Sequence, residues 1–166
     1  MTGNKIICPG CHLHLADEQL APSDRYNASG ECLDLFQQLS ARTFALEHPD
    51  FHHQLAIDAY SAQHAGGIAK GITTAYALIG LYLALELRYT GRQVQHIHSI
   101  IPKQQWGPIT PPGQPAAITV QEVLKAGTND ALYAAIRKWA KSVWDSWALH
   151  HEWVKEKASP FVEQKA

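Results

Sequence analysis

The chain has 166 residues, enough for one domain with a core, and its 46% hydrophobic and 17% charged content is ordinary for a globular protein. A formal net charge of -1 gives no basic surplus for nucleic acid and no charge block for a polyelectrolyte partner. Three cysteines, an odd number, do not suit a disulfide framework, and the ten histidines and five tryptophans stand out.

Residues 1–28 carry Pro9, Gly10, Pro22 and Asn27 without helical periodicity, and read as a compact loop segment. No charged start leads into a long apolar core, so no signal peptide is expected and the chain is placed in the cytoplasm, where thiols stay reduced. Ser29 is positioned to cap a helix whose stripe is Leu33, Phe36, Leu39 and Phe44. His48-Pro49 breaks it. A second helix over about 50–64 ends at Gly66-Gly67. The third is the apolar run "GITTAYALIGLYLAL", continuing to Leu87 and closed by Gly91. Its 15 residues fall short of the roughly 20 needed to span a bilayer, so it is a helix buried in a bundle and no membrane partner is expected. An amphipathic piece, "RQVQHIHSII", follows.

Residues 102–115 contain five prolines and two glycines around Trp106 and form a surface loop. Thr119 and Glu122 fit a capping box for a short helix ending at Gly127. Thr128 caps a last helix over 129–157, with Leu132, Ile136, Trp139, Val143, Trp147 and Val154 as its stripe. No run alternates with period two long enough to be a strand. The expected fold is all-α: a bundle of about five helices in a single domain, 1–166. Within it, 1–28 is a metal-binding loop segment, 29–157 the bundle and 158–166 a tail.

The chemistry centres on Cys8-Pro9-Gly10-Cys11-His12. Its letters match the C-x-x-C-H of a c-type haem attachment site, but that needs export, and Met1, the only methionine, is no distal ligand. A thioredoxin-like dithiol would sit at a helix N-terminus after a strand, whereas Pro9-Gly10 lies inside the pair and no helix visibly follows. Inert thiols are a third reading. Zn²⁺ is the favoured one: a C-x-x-C turn offers two thiolates, Cys32 a third, and a histidine would complete a Cys3His tetrahedron. His12 and His14 are close in sequence, but a ligand directly beside Cys11 is sterically awkward. His64 is the preferred fourth ligand and His53 the alternative. The two share a helix face but lie about 16 Å apart along it, so both can hardly join one ion.

"CPGC", Cys32, "IDAYSAQH" over 57–64, "ALIGLYLALE", "ITVQEVL" and "WAKSVWDSW" followed by His150-His151 occur in that order across nearly the whole chain. In this the sequence resembles a family of small uncharacterised bacterial proteins with a CPxCG-like knuckle, a later cysteine and a V-D-A-Y-x-x-Q-H-P motif. The resemblance implies a metal role for Cys8, Cys11 and Cys32 and importance for Asp58, Tyr60, Gln63 and His64. It supplies no activity. The chain departs from that pattern at His12, where the family has glycine, at Ala65, where it has proline, and at Ala77, where it has histidine.

Asp58 and Glu86 lie in otherwise apolar helices, where a carboxylate is a buried partner or a general base. His151 follows Trp144 and Trp147 at i+7 and i+4 and shares their face. A second polar site lined by Asp58, Tyr60, Trp147 and His151 is therefore an expectation. Two functions follow: a zinc-binding helical protein whose zinc is mainly structural, or a metal-dependent enzyme of the DinB type working between helices near His64 and His151. A partner would be a small molecule or a protein, and the Trp-rich last helix is a candidate homo-oligomer interface. No Ser-His-Asp set, phosphate loop or dinucleotide fingerprint is present.

Overall fold

The described residues, 3–162, of the computed structural model form seven α-helices, one short 3-10 helix and one β-hairpin, with the loops that join them. The hairpin pairs β1 (Lys5–Ile7) with β2 (His14–Ala16) in antiparallel register, Ile6 opposite Leu15. The helices are α1 (Gly30–Phe44), α2 (His52–Gln63), α3 (Gly71–Leu85), α4 (Gly91–Ile100), α5 (Val120–Leu124), α6 (Asn129–Ser146) and α7 (His151–Val162). The all-α expectation holds. None of these helices is long and apolar enough to cross a membrane.

Several local expectations are corrected. The 1–28 segment is not all loop, because its two three-residue strands are too short to show alternation. The single last helix is two: α6 stops at Ser146, a 3-10 turn covers Ala148–His150, and α7 restarts at His151. Of the expected tail, 158–162 belong to α7, and 163–166 lie outside the described residues. The Thr119 side chain makes no cap bond; the capping box that forms joins Thr90 and Gln93 at the start of α4. Gly91 opens α4 rather than closing α3, which ends at Leu85.

The hub is α2, which touches α1, α3, α4 and α6. It is buried on nearly every side, so it shows no clean apolar stripe. Its polar groups must then find partners inside the protein. Gln63 does so twice: its amide donates to the Ile118 carbonyl at 2.8 Å and its oxygen accepts the Trp139 indole N–H at 2.9 Å. Asp58 is only 3% exposed, and one of its oxygens accepts from Gln54 at 3.1 Å. It fits because Gly80 of α3 faces it; a Cβ there would overlap the carboxyl.

The N-terminal segment is tied to the bundle by its backbone. Glu31, in the first turn of α1, accepts the N–H groups of Glu18 (3.2 Å) and Leu20 (3.0 Å) on one carboxylate oxygen. Asn27 donates its N–H to the His64 carbonyl at 2.9 Å and its side-chain amide to the Ala65 carbonyl at 3.2 Å. These bonds bring the hairpin, the start of α1 and the end of α2 to one place.

Candidate metal centre

Cys8 directly follows β1, and Cys11 closes the tight turn that leads toward β2. The turn is held by two backbone bonds, His12 N–H to Cys8 carbonyl and Cys8 N–H to Leu13 carbonyl, both 2.9 Å. Gly10 lies against Asn27 and His64 so closely that a Cβ would overlap both. His12 adopts φ 63°, the left-handed region that favours glycine, and its side chain is exposed. It therefore stands outside the cluster its neighbours form.

Cys32 is set in the first turn of α1, whose Ser29 cap accepts the Cys32 N–H at 3.1 Å. His64 is the C-cap of α2, where φ -114° and ψ 39° turn the chain off the helix. One ligand atom from each of Cys8, Cys11, Cys32 and His64 lies within 4.8 Å of the other three. The Cys11 and Cys32 sulfurs are 3.8 Å apart, and Cys32 Sγ is 3.5 Å from His64 Nε2. The cysteines are unpaired by disulfides, and exposure is 0% for Cys8, Cys32 and His64 and 4% for Cys11. The cluster is placed to hold a metal ion.

The surroundings set the protonation of the ligands. His64 Nδ1 lies 2.8 Å from the Tyr60 carbonyl, which can only accept, so Nδ1 carries the hydrogen and Nε2 turns a lone pair toward the sulfurs. The Tyr60 hydroxyl donates to Cys32 Sγ at 3.5 Å. Its ring is sandwiched between Phe36 (centroids 4.0 Å apart) and the His64 imidazole (3.9 Å), which shuts water out on that side. Three sulfurs this close do not ionise independently. The Cys11 and Cys32 thiols hydrogen-bond to Cys8 and hold it low, while Cys32 is pushed up by its Cys11 and Cys8 neighbours and by burial. Cys11 is pushed up to about 12: the Cys32 hydrogen bond favours its anion, but the Cys8 neighbour and burial outweigh it.

The remaining candidate residues lie elsewhere. His53 is in the first turn of α2 and bonds through Nδ1 to Thr43 Oγ1 at 2.8 Å. His151 stacks on Trp144 at 3.8 Å between centroids and bonds through Nε2 to the Trp144 carbonyl at 2.8 Å. Trp147 is buried, and its indole N–H reaches the Ala62 carbonyl at 3.2 Å. Asp58 faces Gly80 and Gln54, and Tyr60 belongs to the cysteine cluster's wall. These four therefore occupy separate surroundings. Glu86 caps α3 at the surface and pairs with Lys155 at 3.5 Å.

One further cluster escaped the sequence reading. His48, Asp50 and His52 converge where α1 gives way to α2. Their alternate spacing, His-x-Asp-x-His, was the available signal, but it straddles a proline and a helix start and carries no periodicity.

Fold and site together define a mainly helical protein built around a buried Cys3His cluster of metal-ligand type. The chain belongs to DUF5946, a family of unknown function, whose model matches residues 6–148. No curated protein and no solved structure matches the chain.

Proposed function

We propose that the protein binds one zinc ion through Cys8, Cys11, Cys32 and His64, and that the ion is structural. The observation that carries this reading is closure: four potential ligands, none more than 4% exposed, converge from the hairpin, α1 and α2. A tetrahedral zinc with bonds of about 2.3 Å to sulfur and about 2.0 Å to nitrogen has S–S edges of about 3.8 Å and S–N edges of about 3.5 Å. The Cys11–Cys32 and Cys32–His64 separations, 3.8 and 3.5 Å, fit those edges without rearrangement. The thiolate-rich donor set favours Zn²⁺ over oxygen-seeking cations. The His64–Tyr60 hydrogen bond supplies the outer partner that a ligating imidazole ordinarily has.

A catalytic ion needs an open position, usually filled by water. Four protein ligands under an aromatic lid leave none, and His151 is engaged with Trp144 rather than facing His64. The arrangement thus favours the structural role over an enzyme centred on those two histidines. Metal analysis of the purified protein tests it: one equivalent of zinc is expected, reduced or lost in Cys8→Ser and in Cys32→Ser. A protein without zinc, or full retention in both variants, would overturn the proposal.

A further inference from the structure

The turn His48-Pro49-Asp50-Phe51-His52 is built as a rigid presenter of side chains. Phe51 adopts the left-handed φ of 48° and its N–H is held by the His48 carbonyl at 3.0 Å. From the other side, the Gly91 N–H at the start of α4 donates to the Asp50 carbonyl at 2.6 Å. The Arg92 guanidinium covers the Phe51 ring at 3.7 Å. A strained, doubly anchored backbone of this kind is commoner at functional sites than in ordinary connections.

On this turn, one ligand atom from each of His48, Asp50 and His52 lies within 4.8 Å of the other two. His48 Nδ1 accepts the Asp50 N–H at 3.1 Å, which engages that nitrogen and leaves Nε2 as the ring nitrogen that could ligate. The ring nitrogens of half-buried His52 and the carboxylate oxygens of Asp50 have no hydrogen-bond partner among the described residues. His52 is packed flat on Tyr133, 4.1 Å between centroids, which fixes its ring plane. Two imidazoles and one carboxylate suit a borderline divalent cation, and three protein ligands leave positions open.

Those positions have somewhere to face. Asp50 and His52 line a cavity of about 470 Å³ whose wall also includes Gln54, Asp58, Arg88 and Arg137. Arg88, itself left-handed at φ 59°, and Arg137 make no ion pair among the described residues. Two guanidiniums repel a nearby cation, and Asp50 offsets only one charge. An anion in the cavity would satisfy both arginines and the metal at once.

We propose that His48, Asp50 and His52 form a second, open divalent-cation site at the mouth of this cavity, and that cation and arginines together take a small anionic ligand. The site is independent of the cysteine cluster and chemically distinct from it. Cobalt(II) titration of the full-length, metal-free reduced protein separates the two. The first equivalent brings a thiolate-to-cobalt charge-transfer band. A second is expected to add only weak visible bands, and sodium sulfate, as the probe anion, is expected to tighten it at least tenfold without altering the thiolate band. Asp50→Asn, at an exposed side chain, should weaken the second equivalent at least tenfold and leave the first unchanged. His48→Ala/His52→Ala should abolish the second. A wild-type protein that takes no second equivalent, or one that takes it unchanged in both variants, overturns the site; a second equivalent indifferent to sulfate overturns the anionic ligand. Loss of the thiolate band alone would count against the cysteine centre and not against this one.

Discussion

At the scale of the residue, His12 shows how a motif can mislead. It completes the letters of C-x-x-C-H, yet its side chain is exposed and its backbone has the left-handed φ of 63°. The knuckle needs that conformation so that the chain can double back into β2 with the Cys8 N–H on the Leu13 carbonyl. Glycine adopts it freely, whereas a residue with a Cβ is strained there. His12→Gly should therefore keep its metal and gain about 0.5–1 kcal/mol of stability, the relief of strain exceeding the extra chain entropy of glycine. Denaturant midpoints of the metal-loaded proteins measure this. Loss of bound metal in the variant would instead make His12 a ligand. The sequence held the cysteines plainly, and His64 was recoverable because it lies where a helix must end. The sequence preferred His64 and kept His53 as the alternative. What it could not supply was the contact that brings His64 to the cysteines, made by Asn27, whose bonds to the His64 and Ala65 carbonyls draw that end of α2 to the knuckle.

Between elements, the contact of α2 with α3 turns on one carboxyl. Asp58 fits over Gly80, has one oxygen on Gln54 and the other without a partner, and is 3% exposed. Burial raises its pKa well above the ordinary carboxylate value, only partly countered by the Gln54 hydrogen bond. The consequence has a definite sign. Below about pH 3.9 folded and unfolded chains both hold the proton, and no penalty arises. As pH rises, the unfolded chain releases it while the native chain keeps it, so stability falls until the folded pKa is reached. An asparagine in its place has no such proton to keep or release. The stability of Asp58→Asn relative to wild type should thus climb by about 1.4 kcal/mol per pH unit above that point, up to the folded pKa. Paired urea titrations of the metal-loaded proteins between about pH 5 and pH 8 read it directly, and a difference flat across that range would mean that Asp58 is ionised in the fold. Helix boundaries were legible where caps or glycines mark them, as at Ser29 and Thr128. The break at Ser146 was not, because Ser146-Trp147-Ala148 contains no breaker. A tertiary bond, Trp147 indole to the Ala62 carbonyl, and a turn leaving Leu149 99% exposed replace the helical stripe.

For the whole molecule, the question is what the proposed zinc holds together. Two apolar groups of contacts do not need it. Leu78, Ile79 and Leu81 of α3 and Leu132, Ile136 and Trp139 of α6 are fully buried, on helices that pack against α2. The hairpin is different. Its strands are three residues each, with alternating exposed positions, and it touches the helices mainly through α1 and the cluster itself. A two-stranded hairpin is marginal by itself in water, so under the proposed function most of its stability is expected to come from an ion joining Cys8 and Cys11 to Cys32 and His64. Chelation should then produce a graded result rather than global unfolding. Amide exchange over 4–17 is expected to accelerate to nearly unprotected rates, and the His64 end of α2 to loosen with it through the Asn27 bond. Amides of α3 and α6 should stay protected. Readdition of zinc at about 100 times its dissociation constant should restore the hairpin and stabilise the whole by about 2.7 kcal/mol. Hydrogen exchange with mass readout resolves these segments. Continued protection of 4–17 after complete metal removal would show that the backbone bonds of Glu31 and Asn27 suffice, and that the cluster's ion is no staple.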